Sequence, residues 1–163
     1  MGLPHGFKSK ANALARKARS ALGLAATAPL SPLRLAEKMG IAVAPLSSFA
    51  SECASAVRHL MKVDRRAFSA GTFHLAGRTL VVFNDANPGD RQASDVAHEL
   101  SHVLLEHPML PILDDLGCRH FDKDLEEQAN WLGPALLISE EAALHIARQG
   151  WTVEQAAVEY EVT

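Results

Sequence analysis

The stretch "ASDVAHELSHVLLEHP", residues 93–108, constrains this chain more than any other. Val96, Leu100, Val103 and Leu104 recur at helical spacing and need a core to bury them, while His98, Glu99 and His102 interrupt the same helix with polar groups. At about 100° per residue, His98 and His102 lie roughly 40° apart and one turn above each other, so both imidazoles can reach one point. The apolar residues fall on the other side. A fold that accommodates this helix has to supply a core for one face and a cleft for the other. The plainer reading of the same residues is a polar notch on an ordinary core helix.

The rest of the chain is able to provide that fold. Its 163 residues, 48% apolar and 21% charged, have the proportions of one soluble domain. A formal charge of −3 offers no general attraction to nucleic acid or anionic lipid. Lys8, Lys10, Arg16, Lys17 and Arg19 crowd the N-terminal segment, and we read them as the solvated face of a first helix whose other face carries Leu14, Ala15, Ala18 and Leu22. No apolar run approaches the roughly 18–20 residues of a membrane helix, and the N-terminus lacks a signal-peptide apolar core. Cys53 and Cys118 can form one bridge at most, so a reducing, cytoplasmic setting is expected.

The expected layout is α+β: a small twisted, antiparallel-type sheet of about three to four strands, followed by helices. Residues 11–22 read as a helix, and "SPLRLAEKMG" as a short one with Ser31 as cap, Pro32 at its first position and Gly40 past its end. "IAVAPL" reads as a strand, with another around Ala56 to Lys62. "GTFHLAGRTLVVFND" reads as a hairpin turning through Ala76 and Gly77. Asp90 is placed as the cap of a helix running to about His107, where Pro108 halts it, and "PMLPILDDLGCRH" as a loop. A helix over "DKDLEEQANWLGPALLI" is expected to kink at Gly133 and Pro134. Ser139 opens another helix, and Thr152 with Gln155 forms a capping box for the last.

Two histidines four apart with a glutamate after the first are the HExxH pattern, in which both imidazoles bind zinc and the carboxylate takes a proton from the metal's water. Such a site needs a third ligand. A third histidine downstream on the same helix is excluded, because Leu105 and Pro108 occupy the places that pattern requires, and His107 reads as a terminal or surface histidine. The segment "DLEEQAN" offers Glu126, with Asn130 one turn on to orient a neighbouring group and Glu127 pointing to solvent. A solvated helix glutamate is the alternative for Glu126. His120, His145 and Tyr160 are candidate donors to a tetrahedral oxyanion, each with a surface or packing role as its alternative. His59 and His74 read as exposed strand residues, and the strand "RTLVVFN" as the edge along which an extended peptide would lie.

Together "GFKSKANALARKARSALGL", "PLSPLRLAEKMGIAVAPLS", "RQASDVAHELSHVLLEHP" and "EEQANWLGPALLIS" resemble, over nearly the whole chain, the ImmA/IrrE-type metallo-endopeptidases of bacteria and their mobile elements. The resemblance implies one Zn2+ held by His98, His102 and Glu126, with Glu99 as general base. It also implies a protein substrate, a helix-turn-helix transcriptional repressor whose removal releases stress or mobile-element genes. Ser101 stands where the family usually has glycine, Gln128 where an acid is frequent, and "LGPALLIS" where "FAAELLMP" is commoner. On this reading residues 1–150 form the metallopeptidase-like domain and residues 151–163 a C-terminal helix that starts a helical tail. That tail resembles the first helix of a helix-turn-helix unit, and two-helix packing is the alternative. No direct nucleic-acid contact and no membrane contact is expected.

Two rival readings use the same residues differently. One is a non-cleaving anti-repressor module that binds its partner without hydrolysis; the retained Glu99 speaks against it. The other is a structural zinc staple, closed by Cys118 or His120 as a fourth ligand.

Overall fold

The computed structural model describes residues 2–75, 77–108 and 122–162. Among these residues the order is α1 (Phe7–Ala21), α2 (Pro32–Lys38), β1 (Ala42–Pro45), α3 (Ala54–Arg58), β2 (Ala70–Leu75), β3 (Arg78–Phe83), α4 (Gly89–Leu104), α5 (Lys123–Leu137), α6 (Glu140–Gln149) and α7 (Val153–Tyr160). The expected loop "PMLPILDDLGCRH" lies almost wholly outside the described residues, as do Ala76, Cys118 and His120. No helix among the described residues is long and apolar enough to cross a membrane.

The α+β layout is the expected one, and the sheet differs in detail. It has three strands in the order β1-β3-β2, with β1 parallel to β3 and β2 antiparallel to it. The hairpin from Ala70 to Phe83 forms as read, with Thr72 opposite Val81. β3 is therefore central, not an edge. Its sequence explains why: Val81 and Phe83 point into the main core, whereas Leu80 and Val82 pack on the other face, so the strand needs cover on both sides.

The cover on that second face overturns one expectation. The strand expected around Ala56 to Lys62 is helical: α3 runs on through a wide π-helical turn, His59–Val63. Val57, Leu60 and Met61, spaced by three and four residues, pack with Leu46, Phe49 and Phe73 against Val82. Helical spacing outcompetes the apparent alternation because the sheet face, not a neighbouring strand, is what these residues meet. Asn84, fully buried, ties the two parts together by donating to the carbonyls of Leu60 and Phe68 at 3.1 and 3.0 Å.

The main core lies on the other face, among α1, α2, α4 and α5. Phe7, Ala11, Ala15 and Ala18 form the buried stripe of α1, against Leu35, Val96, Leu100, Leu132 and Leu136. Ser31 caps α2 as expected, accepting from the Arg34 amide. Lys8, Lys10, Arg16 and Lys17 are exposed as predicted, and Lys8 lies over the Trp131 ring of α5.

Arg19 departs from that solvated row. It is only 1% exposed and donates to the carbonyls of Ala28 at 3.0 Å and of Leu137, at the end of α5, at 2.9 Å. The loop it holds is bonded by two further side chains: Ser139 donates to the Ala26 carbonyl at 2.6 Å and Tyr160 to that of Thr27 at 2.6 Å. Three successive carbonyls that could not pair within the loop thus take donors from α1, from the cap of α6 and from α7. Burial lowers the Arg19 pKa, with Tyr160 and Glu141 opposing it. A guanidinium with fixed acceptors stays charged there.

Replacing Arg19 by Met is expected to cost about 2–4 kcal/mol, because buried carbonyls lose a charged donor. Lys17→Met on the exposed face should change stability by less than about 0.5 kcal/mol. Urea unfolding of the two variants checks this, and equal midpoints would remove Arg19 from the frame.

Candidate metal centre

α4 places its polar residues as its spacing dictates. It begins two residues earlier than expected, with Pro88 as cap and Asp90 inside the first turn rather than capping it. Val96 and Leu100 are buried in the core, and His98 and His102 emerge on the cleft side, each about a quarter exposed. Ser101, fully buried, turns its hydroxyl back onto the Ala97 carbonyl at 2.8 Å, so a small polar residue fits where the helix is covered.

α5 brings the third group. Asp122 caps it by accepting from the amides of Asp124 and Leu125, which leaves Glu126 in the first turn. Seven residues on, and so on nearly the same stripe, is Gly133. A Cβ built there would lie 3.3 Å from the His98 Cα and 3.4 Å from its amide nitrogen. The missing side chain lets the backbones of α4 and α5 touch at the residue that carries the first histidine. The helix passes through Gly133 and Pro134 as one element, Lys123–Leu137. Pro134 removes the amide that would bond the Asn130 carbonyl, but both residues are exposed, so water can satisfy it.

The three side chains converge. His98 Nε2 lies 3.2 Å from His102 Nε2 and 3.2 Å from Glu126 Oε2, and His102 Nε2 lies 3.7 Å from Glu126 Oε1. One ligand atom from each falls within 4.8 Å of the others. Donors held at about 2.0–2.1 Å around a tetrahedral cation sit roughly 3.3 Å apart, close to the spacing of the two imidazoles, so the cluster could hold a metal ion. Burial disfavours the His98 cation, but the hydrogen bond to Glu126 and the charges of Glu99, Glu126 and Asp95 outweigh it and hold its pKa above the ordinary imidazole value. The electrostatics of the pocket thus favour positive charge.

Glu99 is 7% exposed, and Thr72 of β2 donates its hydroxyl to Oε2 at 2.7 Å. The hairpin and the helix are joined at this bond. A carboxylate beside a metal site but outside its ligand cluster is the arrangement a general base requires.

The IrrE N-terminal-like domain of peptidase family M78 matches residues 36–163. The chain belongs to this family. No curated protein and no solved structure is significantly similar to it. Membership in the M78 family carries metallopeptidase-type chemistry, and among the described residues His98, His102 and Glu126 are the group able to hold its metal. The match begins inside α2, so the resemblance read in the first helix lies outside it.

The remaining candidates divide. Asn130 is exposed at the start of the second turn after Glu126, and Glu127 is half-buried rather than turned to solvent. His145 meets the Trp151 ring, centroids 5.7 Å apart, and the Tyr160 hydroxyl donates to the Thr27 carbonyl at 2.6 Å. His120 lies outside the described residues. His59 and His74 are exposed, His59 on a helix rather than a strand.

His107 differs most from its reading. α4 ends three residues earlier than expected, at Leu104, and Glu106 adopts φ 56°. The chain doubles back and sets His107 Nδ1 3.0 Å from His102 Nδ1. Burial pushes the His107 imidazole below its ordinary pKa, against Gln128, Glu126 and Asp122 nearby. Pro108 signalled the helix end, but its left-handed closing turn has no glycine to announce it.

Gly133→Val is expected to force α4 and α5 apart at His98, costing about 1–3 kcal/mol and weakening metal binding at the same time. Chemical denaturation and zinc titration of the variant read both effects. Unchanged values would show that the close approach at Gly133 does not set the site.

Proposed function

We propose that this protein is a zinc-dependent endopeptidase of narrow specificity that cleaves a helix-turn-helix transcriptional repressor and so releases stress or mobile-element genes. One observation carries the catalytic part: His98, His102 and Glu126 converge on one point while Glu99, from the turn between the histidines, stands beside it in a buried setting. Zinc held by three protein ligands acts as a Lewis acid, bringing the pKa of water to near neutrality and polarising a carbonyl.

Glu99 accepts the water's proton and returns it to the departing amine, so no covalent nucleophile is needed. Thr72 holds one carboxylate oxygen and thereby the direction from which Glu99 reaches the water. Because β3 is paired on both sides, the strand for an extended substrate is β2, which among the described residues is an edge strand and carries Thr72. A peptide added there would run past Glu99. The repressor class rests on the family resemblance; the protein character of the substrate follows from the peptidase family itself.

Elemental analysis of the purified protein should find near-stoichiometric zinc that falls sharply in Glu126→Ala. Glu99→Gln should keep the zinc and lose cleavage of a repressor substrate by about 10²–10⁴-fold. Undiminished release of the repressor from its operator in Glu99→Gln would instead mark a binding module that displaces its partner without cutting.

Thr72→Val keeps the shape of the strand and removes one hydroxyl. It should lower kcat by about tenfold, a fraction of the full general-base contribution, and leave zinc content unchanged. A kcat equal to wild type would mean that Glu99 is oriented by other contacts.

A further inference from the structure

The end of α4 is built in a way that bears directly on His102. The His107 amide bonds the His102 carbonyl at 3.0 Å and the Glu106 amide bonds the Val103 carbonyl at 3.1 Å. With Glu106 left-handed between them, this is a Schellman closure, usually made with glycine at that position. Its effect here is to lay one histidine on the other. The rings of His102 and His107 meet edge to face, centroids 5.0 Å apart and planes at 76°.

Their contact is between the two Nδ1 atoms, 3.0 Å apart, so one must donate a proton and the other accept it. The opposite nitrogen of His102, Nε2, faces His98 Nε2 and Glu126. A nitrogen that ligates a cation presents its lone pair, which leaves the proton of a neutral imidazole on the other nitrogen. His102 is then the donor at Nδ1.

We propose that His107 is a positioning residue of the metal centre: its Nδ1 accepts the Nδ1 proton of His102 and so holds His102 in the tautomer and ring orientation that present Nε2 to the metal. This rests on the metal-site reading above and adds to it a residue that ligates nothing. The proton of His107 itself then lies on Nε2, which is buried and has no hydrogen-bond partner among the described residues, with Gln128 close to the ring. The backbone bond from His107 to His102 means that the orienting ring and the ligand ring are fixed to the same turn of chain.

Zinc affinity is measured by competition with a chromophoric chelator for wild type, His107→Phe and His107→Asn, alongside long-range 1H–15N spectra of the histidine rings in zinc-loaded wild type. His107→Phe, which keeps a ring but accepts no proton, should weaken zinc binding by about 10–100-fold, and His107→Asn, whose carbonyl oxygen replaces Nδ1, should recover most of it. The wild-type spectrum should show His102 protonated at Nδ1 and metal-bound at Nε2. Zinc affinity of His107→Phe within about threefold of wild type, equal losses in both variants, or a His102 that binds zinc through Nδ1 would each overturn the proposal while leaving the metal site intact. Wild type that takes up no zinc would overturn the metal-site reading and this proposal with it. The wild-type spectrum decides the matter even if a variant fails to fold.

Discussion

The contact between the backbones of α4 and α5 at His98 and Gly133 is the constraint from which the site follows. Two histidines one turn apart define a direction, but a third ligand has to be carried in on another helix at the right height and distance. Gly133 sets the distance by having no side chain, and the seven-residue spacing back to Glu126 sets the face. With Leu132 and Leu136 buried beside it, α5 has little freedom to slide. Glu126 therefore approaches the two imidazoles as a consequence of packing, and the carboxylate does not have to be paid for by a flexible loop.

The sheet contributes in a different way. Its central strand is covered on both faces, and the Thr72 hydroxyl meets Glu99 from a strand and not from a loop. The candidate ligands come from helices and the proposed base is steadied by a strand. The two sets of constraints are independent, which lets the carboxylate of Glu99 stay off the ligand cluster even though it is adjacent in sequence to His98.

Much of this was legible in the residues, for physical reasons that can be named. The face of α4 was readable because apolar and polar groups separate at helical period, and α2 because serine, proline and glycine stand at positions with distinct backbone requirements. The central placement of β3 is written in "LVVF", a run with no polar alternation, but its parallel partner β1 lies far back in the chain, where no local pattern links the two. The segment around Val57 was misread because five or six residues fit either period, and only the sheet face that receives Leu60 and Met61 decides between them. Arg19 and His107 were beyond local patterning altogether. Each is explained by a partner that the chain brings back from a distance or around a turn, the carbonyl of Leu137 in one case and the ring of His102 in the other.

The loop whose carbonyls bond Arg19, Ser139 and Tyr160 has a kinetic meaning as well. Its bonds to Ser139 and Tyr160 join residues 113 and 133 positions apart, and Arg19 reaches Leu137 across 118. Contacts of such range form only after long segments have been closed, which places them late and makes them slow to reach. During synthesis His98 and His102 leave the ribosome well before the helices that frame Glu126 can be tied down. A nascent chain thus carries both imidazoles before it has a cleft to hold them.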